Sequence, residues 1–334
     1  REGKSPGPSS PGPAWSTASA TWAAGSYRFF VRTGRRAPHY DGPVGIPWRR
    51  LDWTNTVVVV GTHLLAIVAV VWMVHAFFWE TLVLGVLWYW CCGLSITGGY
   101  HRLYAHPTYR CAWPLKLFYL FFGAASVQNS ALKWSSDHRR HHAYTDKEED
   151  PYNIRKGFWW AHMGWVFMRE PEVPALENVK DLQTYPLVRF QHRFYVPLAL
   201  LFGWGLPTAI AALWGDPLGG LLVAGFLRLT IQYHATFSIN SVAHWTGTRP
   251  YDPKISARDS PITALLTFGE GYHNFHHRFP SDYRNGISFY HFDPTKWWVW
   301  SFSIVGLVRE MRRTSAEQIV TARKTASQAA ALAS

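Results

Sequence analysis

The sequence predicts an all-α integral membrane protein whose four transmembrane helices form two hairpins. Four apolar stretches are long enough as helices to cross a hydrocarbon core of about 30 Å; they are residues 57–79, 81–99, 195–214 and 218–241. Almost nothing separates the first two stretches, and only a Gly-Asp-Pro turn at 215–217 separates the last two. Connections this short predict antiparallel neighbouring helices.

The positions of the basic residues predict how these hairpins are oriented. Neither short hairpin turn carries Lys or Arg, whereas the thirty residues before the first span contain Arg28, Arg32, Arg35, Arg36, Arg49 and Arg50. Cytoplasmic segments of membrane proteins carry an excess of Lys and Arg. We therefore expect both termini and the 100–194 connection in the cytoplasm.

Two stretches need a separate argument. Arg228 lies inside the fourth apolar stretch, where a charged side chain is costly unless it faces protein or water. Residues 113–125 are apolar but too few for a comfortable span, so they better suit an interfacial or re-entrant helix. A full crossing there would also place His101 and His138 on opposite sides of the membrane.

Composition describes the rest of the chain. The first 45 residues are rich in Pro, Gly and Ser and predict a disordered tail, and 314–334 predict a flexible C-terminal tail, which leaves 46–313 as the folded domain. The formal charge is +12, but the cations cluster beside apolar stretches, which favours a membrane surface or an anionic substrate over nucleic acid. Three cysteines are too few for a secreted-type disulfide framework.

Nine of the sixteen histidines fall into three clusters and one further position, each just after an apolar stretch. They are His101 and His106; His138, His141 and His142; His273, His276 and His277; and His244. In the second and third clusters the i, i+3, i+4 spacing puts the rings on one helical face. Neutral imidazole is a good ligand for iron, zinc and copper, and nine imidazoles suit two metal ions.

The first cluster has a different spacing from the other two. His101 and His106 are five residues apart and do not align on a straight α-helix. Because Pro107 disfavours helical geometry at the residue before it, we expect the helix to end at His106 and that ring to turn inward. Inside the spans, His63, His75 and His234 are expected to pack or hydrogen-bond instead of binding metal.

From about residue 53 to 284 the chain resembles the integral-membrane fatty acyl desaturases of the stearoyl-CoA type, the Δ9 acyl-CoA desaturases. The resemblance rests on the order and spacing of HRLYAH, HRRHH, NSVAH and HNFHH, and extends to the QNS run at 128–130, DPYN at 150–153, RKGF at 155–158 and GEGY at 269–272. The fold it implies has four transmembrane helices in a mushroom shape, with a cytosolic helical cap that holds the metals.

The chemistry that this resemblance implies is O2-dependent introduction of a cis double bond, at Δ9, into a saturated acyl thioester, with acyl-CoA as the expected substrate. The cofactor would be a non-haem pair of iron ions (Fe2+) bound by the nine histidines, with Asn240 reaching one iron through a water. The sequence does not divide the ligands between the two irons. A membrane di-iron hydroxylase acting on a lipid or alkyl chain is the alternative.

The resemblance also implies substrate-binding residues. Gln128 and Trp134 match positions that shape the bend of the acyl tunnel near the metals, and Tyr89 and Gly93 match positions near its closed end. A polar entrance would be formed by Asn129, Asp137, Arg155 and Lys156. Ser136 and Glu170 depart from the basic residues usual at their positions. This departure leaves an acyl carrier protein thioester or a lipid-bound chain open as substrate.

The electrons for such a reaction are expected from a separate protein. The sequence carries no His-Pro-Gly-Gly haem motif and no ferredoxin-like cysteine set, so we expect neither haem nor flavin in this chain. Cytochrome b5, a ferredoxin or a rubredoxin, each with its NAD(P)H reductase, is the expected donor. A basic cytosolic face would suit docking of an acidic carrier.

Overall fold

Helices account for nearly all regular structure in the computed structural model, which describes residues 50–169 and 176–333. The predicted tail at 1–45 and Glu170 lie outside these ranges. The first helical pair is α1 (Trp53–His75) and α2 (Trp79–Leu94), and α2 continues as a π-helix over Ser95–Ala105. The side chain of Asp52 caps α1 by accepting a hydrogen bond from the Asn55 amide at 3.0 Å.

Short helices follow this first pair. They are α3 (Trp113–Ala125), α4 (Ala131–Tyr144), α5 (Phe158–His162), α6 (Lys180–Gln183) and α7 (Pro186–Arg193), with 3-10 turns at Ile154–Lys156, Gly164–Phe167 and Glu177–Val179. The α3 helix has 13 residues, so its length agrees with the prediction that 113–125 is too short to span. The Ser130 hydroxyl caps α4 by accepting from the Lys133 amide.

The second helical pair is built from several segments in direct succession. Its first arm, Tyr195–Trp214, consists of α8 (Tyr195–Leu200), a π-helix (Leu201–Gly205), α9 (Leu206–Ala211) and a 3-10 turn (Ala212–Trp214). Its second arm consists of α10 (Pro217–Gly219), a π-helix (Gly220–Leu227) and α11 (Arg228–Asn240).

The chain then returns to short elements around the histidines. They are α12 (Val242–Trp245), α13 (Pro261–Leu266), α14 (His273–Arg278), α15 (Pro294–Ile304) and α16 (Ala316–Ala333). Strand β1 (Arg110–Cys111) pairs antiparallel with β2 (Val308–Arg309), with Cys111 opposite Val308.

Three of the described helices are long and apolar enough to cross a membrane: Trp53–His75, Trp79–Ala105 and Tyr195–Trp214. They correspond to the first three predicted spans. The fourth, 218–241, is helical but is not among the three, because its second half carries Arg228, Gln232 and His234. On α1, apolar side chains such as Val57, Leu64 and Val74 are exposed, as expected of a surface that faces lipid.

Arg228 faces protein, as its position within an apolar helix requires. Its guanidinium is buried and donates hydrogen bonds to the carbonyl oxygens of Ala125 and Gly203, both at 3.0 Å, and to that of Ala224 at 3.1 Å. Its fourth acceptor is the Gln232 side chain, at 3.2 Å. The Arg228 side chain therefore ties the C-terminal end of α3 to both arms of the second pair.

At the far end from the histidines, Asp216 joins the two helical pairs. Its buried carboxylate accepts hydrogen bonds from Trp72 Nε1 at 3.2 Å, Thr81 Oγ1 at 2.6 Å and the Gly219 amide at 2.9 Å. A buried carboxylate is stable only when such donors replace its water. The turn between the arms of the second pair is thereby fixed against both helices of the first.

The C-terminal segment differs from the flexible tail that the composition predicts. Helix α16 covers Ala316–Ala333, and its Ile319 and Ala322 side chains pack against Tyr251 and Phe275. Arg323 also donates a hydrogen bond to the Tyr251 hydroxyl at 2.7 Å. The Ala-rich composition that suggested a loose tail is also favourable for helix formation, and the packing supplies the remaining stabilisation.

Candidate metal centre

The nine histidines come together from four parts of the chain. His101 lies in the π-helical extension of α2 and His106 at its end, while the remaining seven lie on α4, α12 and α14. Their ring nitrogens form two groups, within each of which the candidate ligand atoms lie within 4.8 Å of one another. The five-histidine group contains His101, His106, His138, His142 and His276, and the four-histidine group contains His141, His244, His273 and His277.

The Nε2 atoms of the rings in each group point at one another. In the five-histidine group, His276 Nε2 lies 3.0 Å from both His101 Nε2 and His142 Nε2. His106 Nε2 and His138 Nε2 are 2.8 Å apart. In the four-histidine group, His277 Nε2 lies 3.2 Å from His141 Nε2 and 3.1 Å from His273 Nε2.

Carboxylates on the other side of two rings show which nitrogen holds the proton. His101 Nδ1 lies 2.9 Å from Glu270 Oε2, and His141 Nδ1 lies 2.9 Å from Asp150 Oδ1. Because an ionised carboxylate only accepts hydrogen bonds, Nδ1 carries the proton and Nε2 keeps a lone pair.

Convergent lone pairs in a buried site are the arrangement that a metal cation stabilises. His244 Nε2 supports the same reading, since it is buried without a hydrogen-bond partner among the described residues. The donor set therefore fits two metal ions, one in each group. Imidazole ligands of this kind suit iron, zinc and copper.

The electrostatics favour the neutral, metal-binding form of seven of the nine rings. Burial, together with neighbouring imidazoles, lowers the pKa of six of them well below the usual value: His106, His138, His142, His244, His276 and His277. The same causes lower the pKa of His273 to about 3. Burial alone would raise the pKa of Glu270, but the neighbouring His101 and Arg102 side chains hold it at about 2. Glu270 is therefore ionised and can accept the hydrogen bond from His101 Nδ1.

The π-helix explains the five-residue spacing of the first cluster. In a π-helix the hydrogen bonds run from i+5 to i, and the His106 amide donates to the His101 carbonyl at 3.0 Å. His106 is the C-terminal cap of the helix, which agrees with the expectation that the helix ends there. The two rings are aligned because the helix is a π-helix at this point. The nearby Gly99 is required because a Cβ there would lie 2.6 Å from the Tyr119 side chain.

A cavity of about 530 Å³ leads to both groups of histidines. His101 and His138 of the five-histidine group line it, as do His141 and His273 of the four-histidine group. The other lining residues include Val59, Ile96, Val127, Ala199, Leu200, Trp204 and Phe237. The cavity is therefore largely apolar with four convergent imidazoles, and its volume is typical of a small-molecule site.

Five of the residues expected at the substrate or metal site also line this cavity: Gln128, Asn129, Trp134, Asp137 and Asn240. Gln128 Nε2 donates to Thr236 Oγ1 at 2.9 Å, and the Trp134 ring stacks on His138 with centroids 4.9 Å apart. Asp137 accepts two hydrogen bonds from Lys133 Nζ, at 2.7 and 2.8 Å.

The other four expected substrate residues lie elsewhere. Arg155 and Lys156 are exposed in the 3-10 turn Ile154–Lys156, where Lys156 Nζ is 3.4 Å from the Glu148 carboxylate. Tyr89 and Gly93 lie on α2 against Phe268, whose ring centroid is 5.3 Å from that of Tyr89 and whose ring occupies the space where a Gly93 Cβ would be.

Two histidines inside the predicted spans, His63 and His234, form a hydrogen-bonded chain with His162 of α5 instead of a third group. His63 Nε2 lies 3.0 Å from His234 Nε2, and His234 Nδ1 lies 3.0 Å from His162 Nε2. Each contact uses a different nitrogen of His234, so the three rings do not offer three ligand atoms to one point. This hydrogen-bonded arrangement is what the sequence predicted for His63 and His234.

The groups that orient the ligands are what the sequence reasoning missed. Asp150 and Glu270 stand within the quoted motifs, but their contacts with the histidine rings were not predicted. The available signal was weak: Asp150 follows His141 by nine residues and Glu270 precedes His273 by three. Such partners are set by tertiary contacts, and ligand histidines in general need them.

Comparisons with known proteins agree with this geometry. Residues 78–304 match the model of the fatty acid desaturase family. The chain is 43% identical over 281 residues to acyl-CoA desaturase 1 of Saccharomyces cerevisiae, which covers 82% of this chain and 55% of that protein. It is 44% identical over 262 residues to a probable acyl-CoA desaturase of Schizosaccharomyces pombe, covering 78% and 54%.

A mammalian relative is matched over most of its length. The chain is 36% identical over 282 residues to stearoyl-CoA desaturase 5 of Bos taurus, which covers 81% of this chain and 82% of that protein. The chain thus spans about half the length of the two fungal relatives and most of the bovine one.

Replacing one ligand in each group tests the metal centre. We expect His138→Ala and His141→Ala each to lower the metal content of the purified protein and to reduce turnover more than tenfold, because each removes a ligand that its group does not replace. His75→Ala, which changes an exposed histidine at the end of α1, is the matched control. Metal analysis and an activity assay provide the two readings. Retention of more than a tenth of the activity in either ligand variant would contradict the assignment.

Proposed function

We propose, since the chain belongs to the fatty acid desaturase family, that it is an O2-dependent acyl-CoA desaturase that forms a cis double bond at Δ9 of a saturated acyl chain. The observation that carries this proposal is the apolar cavity that ends on histidines of both groups. An apolar cavity suits a hydrocarbon chain, and paired metal sites at its end suit oxidation of that chain. The two fungal relatives are described as acyl-CoA desaturases, which supports coenzyme A as the carrier.

The proposed cofactor is a pair of iron ions, one held by the five-histidine group and one by the four-histidine group, with Asn240 contributing through a water. Bound iron would supply the redox chemistry by which O2 removes two hydrogens from adjacent methylene carbons. The imidazole donor set and the family support iron, while zinc could occupy the same nitrogens in a purified sample. Activity, and not metal content alone, therefore identifies the functional metal.

The side chains around the cavity would hold the acyl chain in place. Trp134 stacks on His138 and lines the cavity, so its ring forms a rigid wall beside the five-histidine group. The hydrogen bond from Gln128 to Thr236 closes the cavity wall between α11 and the turn that follows α3. These contacts would limit the positions that a methylene pair can take.

The polar head of the substrate would bind where the cavity wall becomes polar. Asn129 and Asp137 line the cavity, and Arg155 and Lys156 are exposed outside it. The exposed cations offer charge complementarity to the phosphates of coenzyme A. Lys133 already neutralises Asp137, so this carboxylate would orient a hydroxyl or amide group.

We place the closed end of the acyl site at Tyr89 and Gly93. Ile96 and Thr97, one turn further along the same helical run, line the cavity. Phe268 fills the space beside Gly93 and contacts Tyr89, so the Phe268 ring is in position to stop the methyl end of the chain.

We further propose that the fourth apolar stretch also spans, which gives two membrane hairpins with both termini and the metal centre in the cytoplasm. The continuous helical run 217–240 supports this assignment, because it is long enough to cross at 1.5 Å per residue. The carbonyl partners of Arg228 remove the main objection to burying that run in the bilayer.

The electrons would come from a separate carrier, cytochrome b5, a ferredoxin or a rubredoxin, with its NAD(P)H reductase. Forming one double bond while reducing O2 to two waters consumes two electrons and two protons beyond those taken from the substrate. Arg278 is exposed and directly follows the ligand His277, so an acidic carrier docked there would lie close to the metal centre.

Product analysis tests the proposed reaction. We expect the purified, iron-loaded protein in lipid, with O2 and a reconstituted electron donor, to convert saturated sixteen- or eighteen-carbon acyl-CoA into the cis-Δ9 product. Gas chromatography with mass spectrometry identifies the product, and His141→Ala is the inactive control. A hydroxylated product would instead identify a hydroxylase, and no lipid change would reject both.

Cysteine labelling tests the topology. Phe77 and Leu213 are exposed at the helix ends that lie away from the nine candidate ligands. We expect Phe77→Cys and Leu213→Cys to react with a reagent added to the non-cytoplasmic side of the membrane. Glu148→Cys and Glu317→Cys should react only from the cytoplasmic side. Cys91, Cys92 and Cys111 of the unsubstituted chain give the background. Labelling of Glu317→Cys on the same side as Leu213→Cys would show that the fourth stretch does not span.

Substrate competition tests the closed end. We expect Tyr89→Ala to shift preference towards longer chains by about tenfold per accommodated methylene group, because it opens space for the methyl end. The double-bond position should not change, since the metal ligands and the entrance are untouched. Trp90→Ala is the matched control, because Trp90 also contacts Phe268 but is more exposed. Unchanged preference in Tyr89→Ala would show that this residue only packs.

A further inference from the structure

His244 is held differently from the other eight histidines of the metal centre. Each of the other eight has its Nε2 within 3.2 Å of another imidazole Nε2. His244 Nε2 has no hydrogen-bond partner among the described residues, and its helix, α12, is only four residues long. The orientation of this ring must therefore be set through its other nitrogen.

That other nitrogen contacts a serine that is itself held by a carboxylate. His244 Nδ1 lies 2.6 Å from Ser256 Oγ. Ser256 Oγ donates to Asp146 Oδ1 in a short hydrogen bond, and the Ser256 amide donates to Asp146 Oδ2 at 2.7 Å. The Asp146 carboxylate thus binds both the main-chain amide and the side-chain hydroxyl of Ser256, which is 110 residues away in the sequence.

This arrangement decides the position of the ring proton. An ionised carboxylate can only accept hydrogen bonds, so the Ser256 hydroxyl uses its one O–H to donate to Asp146. The free lone pairs of Ser256 Oγ then accept from Nδ1–H of His244. With the proton on Nδ1, Nε2 keeps its lone pair and is available to bind a metal.

The backbone of the Asp146 turn supports a role beyond packing. Asp146 has a φ of +65°, a left-handed conformation that is uncommon for residues other than glycine. The Asp146 amide donates to Asp150 Oδ2 at 3.2 Å, while the other oxygen of Asp150 contacts His141 Nδ1. This one strained turn therefore contacts the groups that orient His141 and His244, two of the four ligands in the four-histidine group. Strained backbone of this kind is often found at functional sites.

We propose that Ser256 and Asp146 are positioning residues that set the metal affinity of the four-histidine group. The inference rests on the proposed function only in treating the two histidine groups as metal sites. Neither residue contacts a member of the five-histidine group among the described hydrogen bonds. Loss of the Ser256 hydroxyl should therefore weaken one metal site and leave the other.

Metal binding by Ser256 variants tests the proposal. We expect iron-loaded Ser256→Ala in detergent to lose one of its two irons to a chelator about 10- to 100-fold more readily than the parent protein. Ser256→Thr, which keeps a hydroxyl, should restore retention. Ser260→Ala is the matched control, because it removes a hydroxyl of the same loop that caps α13 and contacts no ligand.

Spectroscopy separates positioning from general destabilisation. In Mössbauer spectra of 57Fe-loaded Ser256→Ala, we expect one of two iron signals to be lost, whereas a loosened fold would weaken both. Asp146→Asn, which keeps the size of the side chain, should show the same selective loss if Ser256→Ala fails to fold. Retention of both irons with the chelator resistance of Ser260→Ala would overturn the proposal. A parent protein that binds two irons but makes no double bond would reject the proposed function alone.

Discussion

The proton on Nδ1 of the ligand histidines is the feature on which the rest of the site depends. It turns the Nε2 lone pairs towards two points, and an acceptor behind the ring holds it on His101, His141 and His244. For His101 that acceptor is Glu270, which also binds the fully buried Arg102 at 2.9 Å. Arg102 in turn binds Asp293 at 3.0 Å, directly before α15. A buried charge is tolerated only when it is paired in this way, so the requirement of one ring links α2, α14 and α15.

The second constraint is that the ligands keep a fixed distance from the membrane helices. The continuous helical run Trp79–Ala105 meets this constraint, because it carries both a long apolar stretch and the first ligand, His101. The π-helical hydrogen bonds then bring His106 to the same side of the run. Tyr119 of α3 packs directly on Gly99, whose lack of a side chain allows α3 to approach this helical run closely. For His101 and His106, ligand geometry and membrane position are therefore properties of one helical run.

Local periodicity predicted several of the helices but not the contacts between them. The i, i+3, i+4 spacing placed His138, His141 and His142 on one face of a helix, and α4 has that form. The π-helix was not predictable, because apolar periodicity does not show a change from i+4 to i+5 hydrogen bonds. The division of the rings into five and four depends on how α4 and α14 pack. Docking of α16 depends on Tyr251, whose exposure the sequence does not give.

Under the proposed function, α4 is the part of the substrate site that stays at a fixed distance from the metals. Asp137 and Trp134, which line the cavity, lie on the same helix as His138 and His141, one from each histidine group. The distance from these cavity-wall residues to the metals is therefore set within a single helix. Under the proposed function, this helix would keep the double bond at a fixed distance from the thioester. The proposed closed end involves different elements, where Phe268 meets α2. Substitutions there can change the accepted chain length without moving the oxidised carbons.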